Sequence, residues 1–482
     1  MSKFNPNFYM DAADDAEMIQ KAVDKAAKTG EKVIVPRHNE RTGKDIWIIP
    51  RAIKVYTGTT ICLDNCHLRQ ADDSFDNIFK NSYARTEEGK LLENRQYDIH
   101  IYGVGNALID GGNHNGLIER NANRDGRPRV IVNSPMHFVN CERIRIEDLR
   151  FIHCRYWGIC FHFCSSGRVS NIYFMNFSNC PNQDGIDLRT GCNNFVIENI
   201  SGFTQDDTVA LTNGEATYDV VGMDNSIHNV IIRNITTGTR CAQVRLLNHF
   251  GRKVYNITIE NLMTYVEYDP SDEVASKNPL RIPCSENYFI DSKTTSAQPE
   301  NEYWRKFSDD TRPSTSVRIG ENYYYNLAKP ETKAQLGDTY NVIVRNVQSR
   351  ARFPIFIGRT LADSVIENVQ AFGDSAVAVF IDGGEYDNLK FNNVGYSRKF
   401  AEHFEEYQAS QVHTERDFDL HTIMHFSDDA FARNIKISGI TTSSASPAVF
   451  EGNADVEVEA HDIYLRDKST PLVKGNIKVN LI

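Results

Sequence analysis

Three carboxylates set the chemistry open to this chain. The stretch NQDGIDLRTGCNNFVIENISGFTQDDTVALTN, Asn182 to Asn213, holds two versions of one unit, NQDGIDL and, after a turn and an apolar run, TQDDTVAL. Asp184 and Asp207 stand 23 residues apart in matching contexts, with Asp206 beside the second. If those residues make one coil of a stacked solenoid, the two segments are neighbouring rungs roughly 4.8 Å apart. Asp184, Asp206 and Asp207 then share one surface patch. Carboxylates that close repel one another and drive their proton affinities apart, which lets one site hold an acid and a base together. The plainer alternative is that each Asp caps its own turn, as Asp does in many loops. The repetition in register favours the shared patch.

Strand side chains alternate between the two faces, so Asp187, Arg189, Gln243 and Arg245 face outward in neighbouring rows. The preceding rung, Trp157 to His162, adds an indole and an imidazole. Arg245, His162, Arg189, Trp157 and Gln205 are therefore the candidate substrate contacts, and carboxylates flanked by such groups suit a sugar. Two of them have a plain structural alternative. Trp157 could pack at the rung edge, and Arg189 could pair with a local acid such as Asp187.

The elements that must position these groups read as a coil of strands. Asp14-Asp15-Ala16-Glu17 is a capping box, Met18, Ile19, Ala22, Val23 and Ala26 have helical spacing, and Gly30 supplies the stop. With the strand KVIVP after it, the segment 12–36 is a cap over the open apolar end of a solenoid. From about Cys141 a repeat becomes legible, apolar, any, apolar, polar, Asn, apolar. Copies include Phe195 to Ile200, Val230 to Ile235, Ile257 to Leu262, Val342 to Val347 and Leu389 to Val394. Asn346 to Asn368 spans 22 residues and Asn234 to Asn261 spans 27, periods that mark a repeat architecture. Each copy is strand-like, and the links are too long for hairpins, so the rungs are parallel. The recurring Asn199, Asn234, Asn261, Asn346, Asn368 and Asn393 read as corner residues bonding amide to amide between coils.

The fold expected is all-β, a single-stranded parallel β-helix running as one domain over 1–482, with long loop insertions. Two stretches break the rhythm: 268–340, rich in Pro, Ser and charge, and 399–429, rich in His and acids. Insertions on solenoids tend to emerge on one face, so either could close one end of a groove or make a subunit contact in a homo-oligomer.

The chain has 482 residues, 40% of them hydrophobic, enough for a large core. A net charge of -11 argues against a nucleic-acid partner, which requires a basic face. No stretch approaches the roughly 18 to 20 apolar residues of a membrane span, and MSKFNPNFYM lacks the pattern of a signal peptide, so a cytoplasmic location is expected. Ten cysteines with no CxxC pair and no zinc-ligand spacing read as buried thiols in a reducing compartment, and neither metal nor cofactor is expected.

The opening helix with KVIVP, then IYGVGNALIDGG, Arg127-Pro128-Arg129, NSPMHFVNCERIRIEDLRF, NQDG and QDD occur in the order seen in one known family. Over roughly Ala12 to Leu262 the chain resembles the polygalacturonase-type glycoside hydrolases, family 28. The resemblance implies a right-handed β-helix and an inverting hydrolysis, with Asp206 as general acid and Asp184 and Asp207 activating the water. It also implies Arg245 as a grip on a sugar carboxylate. Two departures bear on substrate. The family's Gly-His-Gly segment has no counterpart in Asn213 to Asn225, and its Arg-x-Lys becomes Arg245-Leu246-Leu247. One charge-assisted bond to a uronate, worth roughly 1.5–3 kcal/mol, is thereby lost, which weakens polygalacturonate as the substrate and leaves the sugar and linkage open. A cytoplasmic enzyme would meet imported oligosaccharides, so exo action is expected. A β-helix lyase, a fructosyl transferase and a non-catalytic sugar-binding solenoid stay open.

Overall fold

The computed structural model describes residues 4–72, 74–112, 133–176, 182–204, 206–214, 219–239, 241–264, 315–321, 325–326, 328–372, 375, 377–397, 422–442 and 448–482. These fall into two compact units, one holding residues 4–208 and 219–224 of those described, the other 209–214, 225–264 and 315–482.

The first unit begins with the expected cap. Asp14 accepts the Glu17 amide at 2.9 Å, and Glu17 reaches back to the Ala13 amide at 2.9 Å, which closes the N-terminus of the helix Asp15–Ala27. Gly30, at φ +71°, donates to the Ala26 carbonyl at 2.9 Å and stops it. Met18, Ile19, Ala22, Val23 and Ala26 are all buried. Burying each of the three larger side chains contributes about 1.5–3 kcal/mol.

Parallel ladders follow. Val33–Pro36 pairs with Thr60–Asp64, then come Gln96–Val104, Cys141–Ile152, Arg168–Met175 and Asn193–Thr204. A second ladder runs Ile53–Val55, Phe79–Asn81, Met136–Val139, Ile159–His162 and Ile186–Arg189. Inward side chains stack on their own kind from rung to rung. Ile159 lies in register with Ile186, Phe161 with Leu188, and the rings of Phe151 and Phe174 are 5.3 Å apart.

In the second unit one ladder runs Val209–Asn213, Ala242–Asn248, Thr315–Ile319, Phe353–Phe372, Val377–Ser397, Thr422–Phe426 and Ala448–Gly452. This corrects the expected insertions. Thr315–Ile319 lies within 268–340 and Thr422–Phe426 within 399–429, yet both are rungs. Their residues are almost all buried, so neither shows the in-out alternation by which a strand is recognised. Residues 268–314 and 399–421 lie outside the described residues.

The asparagine corners are as expected. Asn261 donates to Asn234 at 3.0 Å, Asn346 to Asn261 at 3.0 Å, Asn368 to Asn346 at 3.1 Å and Asn393 to Asn368 at 3.0 Å. In the first unit Asn199 donates to Asn171 at 2.9 Å. All six predicted residues have φ between +54° and +59°, a region that Asn enters more readily than other non-glycine residues.

Seven of the eight described cysteines are buried and Cys241 is half-buried, all as free thiols. Burial pushes the Cys154 thiol up to about 12. Cys180 and Cys284 lie outside the described residues. Among the described residues no helix is long and apolar enough to cross a membrane.

Candidate functional site

The acidic motif is held by main-chain bonds between rungs of the first unit. Gly158 N donates to Asp184 O at 3.0 Å and Ile159 N to Gly185 O at 2.9 Å, while Gly185 N donates to Asp207 O at 2.9 Å and Ile186 N to Thr208 O at 2.9 Å. With Ile159 in register with Ile186, this pattern sets Trp157, Asp184 and Asp207 at equivalent positions on three successive coils. The glycine after Asp184 has a packing reason. A Cβ on Gly185 would stand 2.5 Å from Thr208 O and 2.9 Å from the Phe174 ring, and one on Gly158 would also stand 2.9 Å from that ring. Phe174 therefore requires bare backbone on both rungs.

Asp184 is 4% exposed and Asp207 2%, while Asp206 is half-buried. An oxygen of Asp206 and one of Asp207 lie within 4.8 Å of each other. Asp206 is fixed from both sides. Asn182 donates to its Oδ2 from the main chain at 3.1 Å and from Nδ2 at 3.4 Å, and Asp207 N donates to Oδ1 at 3.1 Å. The Thr204 hydroxyl donates to Asp206 O at 2.8 Å and lies 3.0 Å from the Thr208 hydroxyl. The hydroxyls of Thr204 and Thr208 thus bracket the acidic pair.

The outward row beneath this turn contains groups that the sequence reading did not combine. His137, Cys160 and Asp187 follow one another in register, and His162 lies two residues beyond Cys160 on the same strand. The rings of His137 and His162 are 5.2 Å apart. Burial pushes both imidazoles well below their usual pKa, helped for His162 by His137, Arg189 and Arg85 and for His137 by Arg85 and Lys80. Burial, with Asp187 beside it, pushes the Cys160 thiol well up. His137 and Cys160 are 23 residues apart, so only the coil register brings them together.

Among the predicted sugar contacts, Trp157 is buried and carries the Arg189 guanidinium 4.5 Å from its ring centre. Gln205 lies outside the described residues. Arg245 belongs to the second unit, where it is buried and ion-paired with Glu321. Arg318, in register with Arg245 on the next rung, lies 3.6 Å from the same carboxylate and 4.9 Å from the Phe356 ring centre. Glu321 is 76 residues beyond Arg245, so no local pattern announces the pair.

A second polar cluster lies at a corner of the first unit. Asp110 bridges His67 Nε2 at 2.9 Å and His153 Nδ1 at 3.1 Å, and accepts the Gly112 amide at 2.8 Å. Burial alone would raise this carboxyl, but the two histidine bonds, the nearby His153 and the Gly112 amide outweigh it and hold the group well below the usual carboxylate range.

No protein-family model matches the chain, and no curated protein matches it in sequence. Among solved structures, it is similar to the tailspike protein of E. coli bacteriophage HK620, solved as a double mutant with a pentasaccharide. That match has a TM-score of 0.54 at 11% identity over 97% of this chain and 77% of that one. The fold is a right-handed parallel β-helix. Two further matches with this β-helix are the exopolygalacturonase of Thermotoga maritima, TM-score 0.42 at 13% identity over 96% of this chain and 91% of that one, and the polygalacturonase of Erwinia carotovora, 0.43 at 12% over 97% and 94%.

Proposed function

We propose that this β-helix is a glycoside hydrolase of the polygalacturonase type, cleaving an oligosaccharide of uronic-acid-related sugars with inversion. The observation that carries the reading is the register of Asp184 with Asp207 on successive coils, with Asp206 next to Asp207 and an oxygen of each within 4.8 Å of the other. In this reading one carboxylic acid protonates the glycosidic oxygen as the bond to the anomeric carbon breaks. A water held by the other two carboxylates attacks from the opposite face and gives up its proton to one of them. Asp206 is assigned the acid and Asp184 and Asp207 the base, following the order of the resembled family. The three N–H donors on Asp206 suit a carboxylate acting as base at least as well, so the acid needs its own test. The tailspike solved with bound penta- and hexasaccharides supports a carbohydrate ligand on this fold. Exo action is part of this reading because an enzyme of the cytoplasm would meet oligosaccharides already imported rather than an intact polymer.

The test is incubation of the full chain with a panel of defined oligosaccharides, following new reducing ends and ultraviolet absorbance together. Reducing ends without absorbance, released one end-unit at a time and lost in Asp184→Asn, Asp206→Asn and Asp207→Asn, are expected. Absorbance from an unsaturated product would replace hydrolysis by elimination. Turnover that survives all three substitutions would remove the acidic site.

A further inference from the structure

We propose that His137, Cys160 and His162 form a binding site for a borderline-soft divalent transition metal ion, zinc in the first instance. Each offers one donor atom, and all three atoms lie within 4.8 Å of one another. They are 6%, 1% and 7% exposed. The β-helix supplies the arrangement in two ways. His137 and Cys160 are in register on successive rungs, and His162 follows Cys160 by two residues, which returns it to the same strand face.

The donor set selects the ion. Calcium and magnesium take oxygen ligands, whereas two imidazoles and one thiolate suit zinc, cobalt, nickel and copper. Donors at roughly 2.0–2.3 Å from one tetrahedral ion are themselves separated by roughly 3.3–3.8 Å. From a ceiling of 4.8 Å, closure by about 1 Å needs only small side-chain rotations. Three protein ligands leave the fourth position to water or to Asp187, which stands in register with Cys160 one rung further on.

The surrounding charges have partners of their own. Lys80, in register with His137, is paired with Asp76 at 2.8 Å. Arg85 bonds to Asn77 and lies 3.9 Å from the same Asp76, and Arg189 is stacked on Trp157. A Cys160 thiolate and the Asp187 carboxylate would together balance the two charges of the ion. The proposal is independent of the glycosidase reading, except that it withdraws His162 from the sugar contacts.

The experiment uses the full chain, stripped with a chelator under reducing conditions and titrated with Co2+. A near-ultraviolet thiolate-to-cobalt charge-transfer band saturating at one ion per chain, and abolished by one equivalent of Zn2+, is expected. Cys160→Ala should remove the band, while Cys192→Ala, which changes another buried thiol, should keep it. His162→Gln should weaken Zn2+ binding by ~100-fold or more in competition with a chromophoric chelator. Far-ultraviolet circular dichroism checks that each variant folds, and the wild-type titration decides even if Cys160→Ala does not. No charge-transfer band in the wild type, or an undiminished band in folded Cys160→Ala, overturns the site and leaves three packed polar side chains.

Discussion

The Gly185 amide donates to the Asp207 carbonyl at 2.9 Å, and this bond sets the spacing of the acidic motif. Because a Cβ at Gly185 would stand 2.5 Å from the Thr208 carbonyl and 2.9 Å from Phe174, Gly185→Ala must push the two rungs apart. We expect a loss of about 1–3 kcal/mol in denaturant unfolding. Adding Phe174→Leu should return only part of it, because the carbonyl contact stays. A fully additive double-mutant cycle would show that the ring plays no part.

Leaving groups separate the acid from the base. Asp206→Ala should lower turnover of natural glycosidic bonds by about 10²–10⁴-fold yet spare an aryl glycoside whose phenolate departs unaided. Asp184→Ala and Asp207→Ala should fall equally on both substrates and recover with added azide. If Asp207→Ala spares the aryl glycoside while Asp206→Ala does not, the acid and base assignments exchange.

Asp110 gives a pH signature. Its folded pKa is depressed, so its contribution to stability is complete above the unfolded value of about 3.9 and is lost as pH falls through and below it toward the folded value. Wild-type stability in urea should therefore drop steeply between about pH 5 and pH 2. Asp110→Asn should be less stable at neutral pH by about 1.5–3 kcal/mol, since it replaces a buried charged acceptor of three hydrogen bonds by a neutral one, with a flatter profile over the acid range. Parallel profiles would mean that the histidine bonds do not hold the carboxylate.

The corner column separates conformation from bonding. Asn346 gives a bond to Asn261 and takes one from Asn368 at φ +58°. Asn346→Ala should cost about 2 kcal/mol, from the bonds and the left-handed backbone together. Asn346→Gly, which keeps the backbone free, should cost about half as much. Equal losses in thermal unfolding would leave no share for the backbone.

What could be read in the sequence is what each residue does within its own coil. Asn261 and Asn346 announce corners because the residue that adopts the left-handed turn also makes the bond. The acidic motif is legible because NQDGIDL and TQDDTVAL repeat one pattern 23 residues apart, whereas the demand that Gly185 meets, the Thr208 carbonyl and the Phe174 ring, comes from other coils. Thr315–Ile319 and Thr422–Phe426 were read as insertions, since strands buried on both faces show no alternation and carry no corner Asn. The cluster of His137 with Cys160 and the pairing of Arg245 with Glu321 belong to register and tertiary contact, which no single stretch of sequence encodes.

The amide column also limits how such a protein can change length. Excising one complete turn, such as the 22 residues that separate Asn346 from Asn368, would let the flanking corners meet again, with every apolar row still in line. Removing half as many would turn each later coil out of phase with its neighbour. Gains and losses of sequence in the regular coils should therefore come as whole circuits.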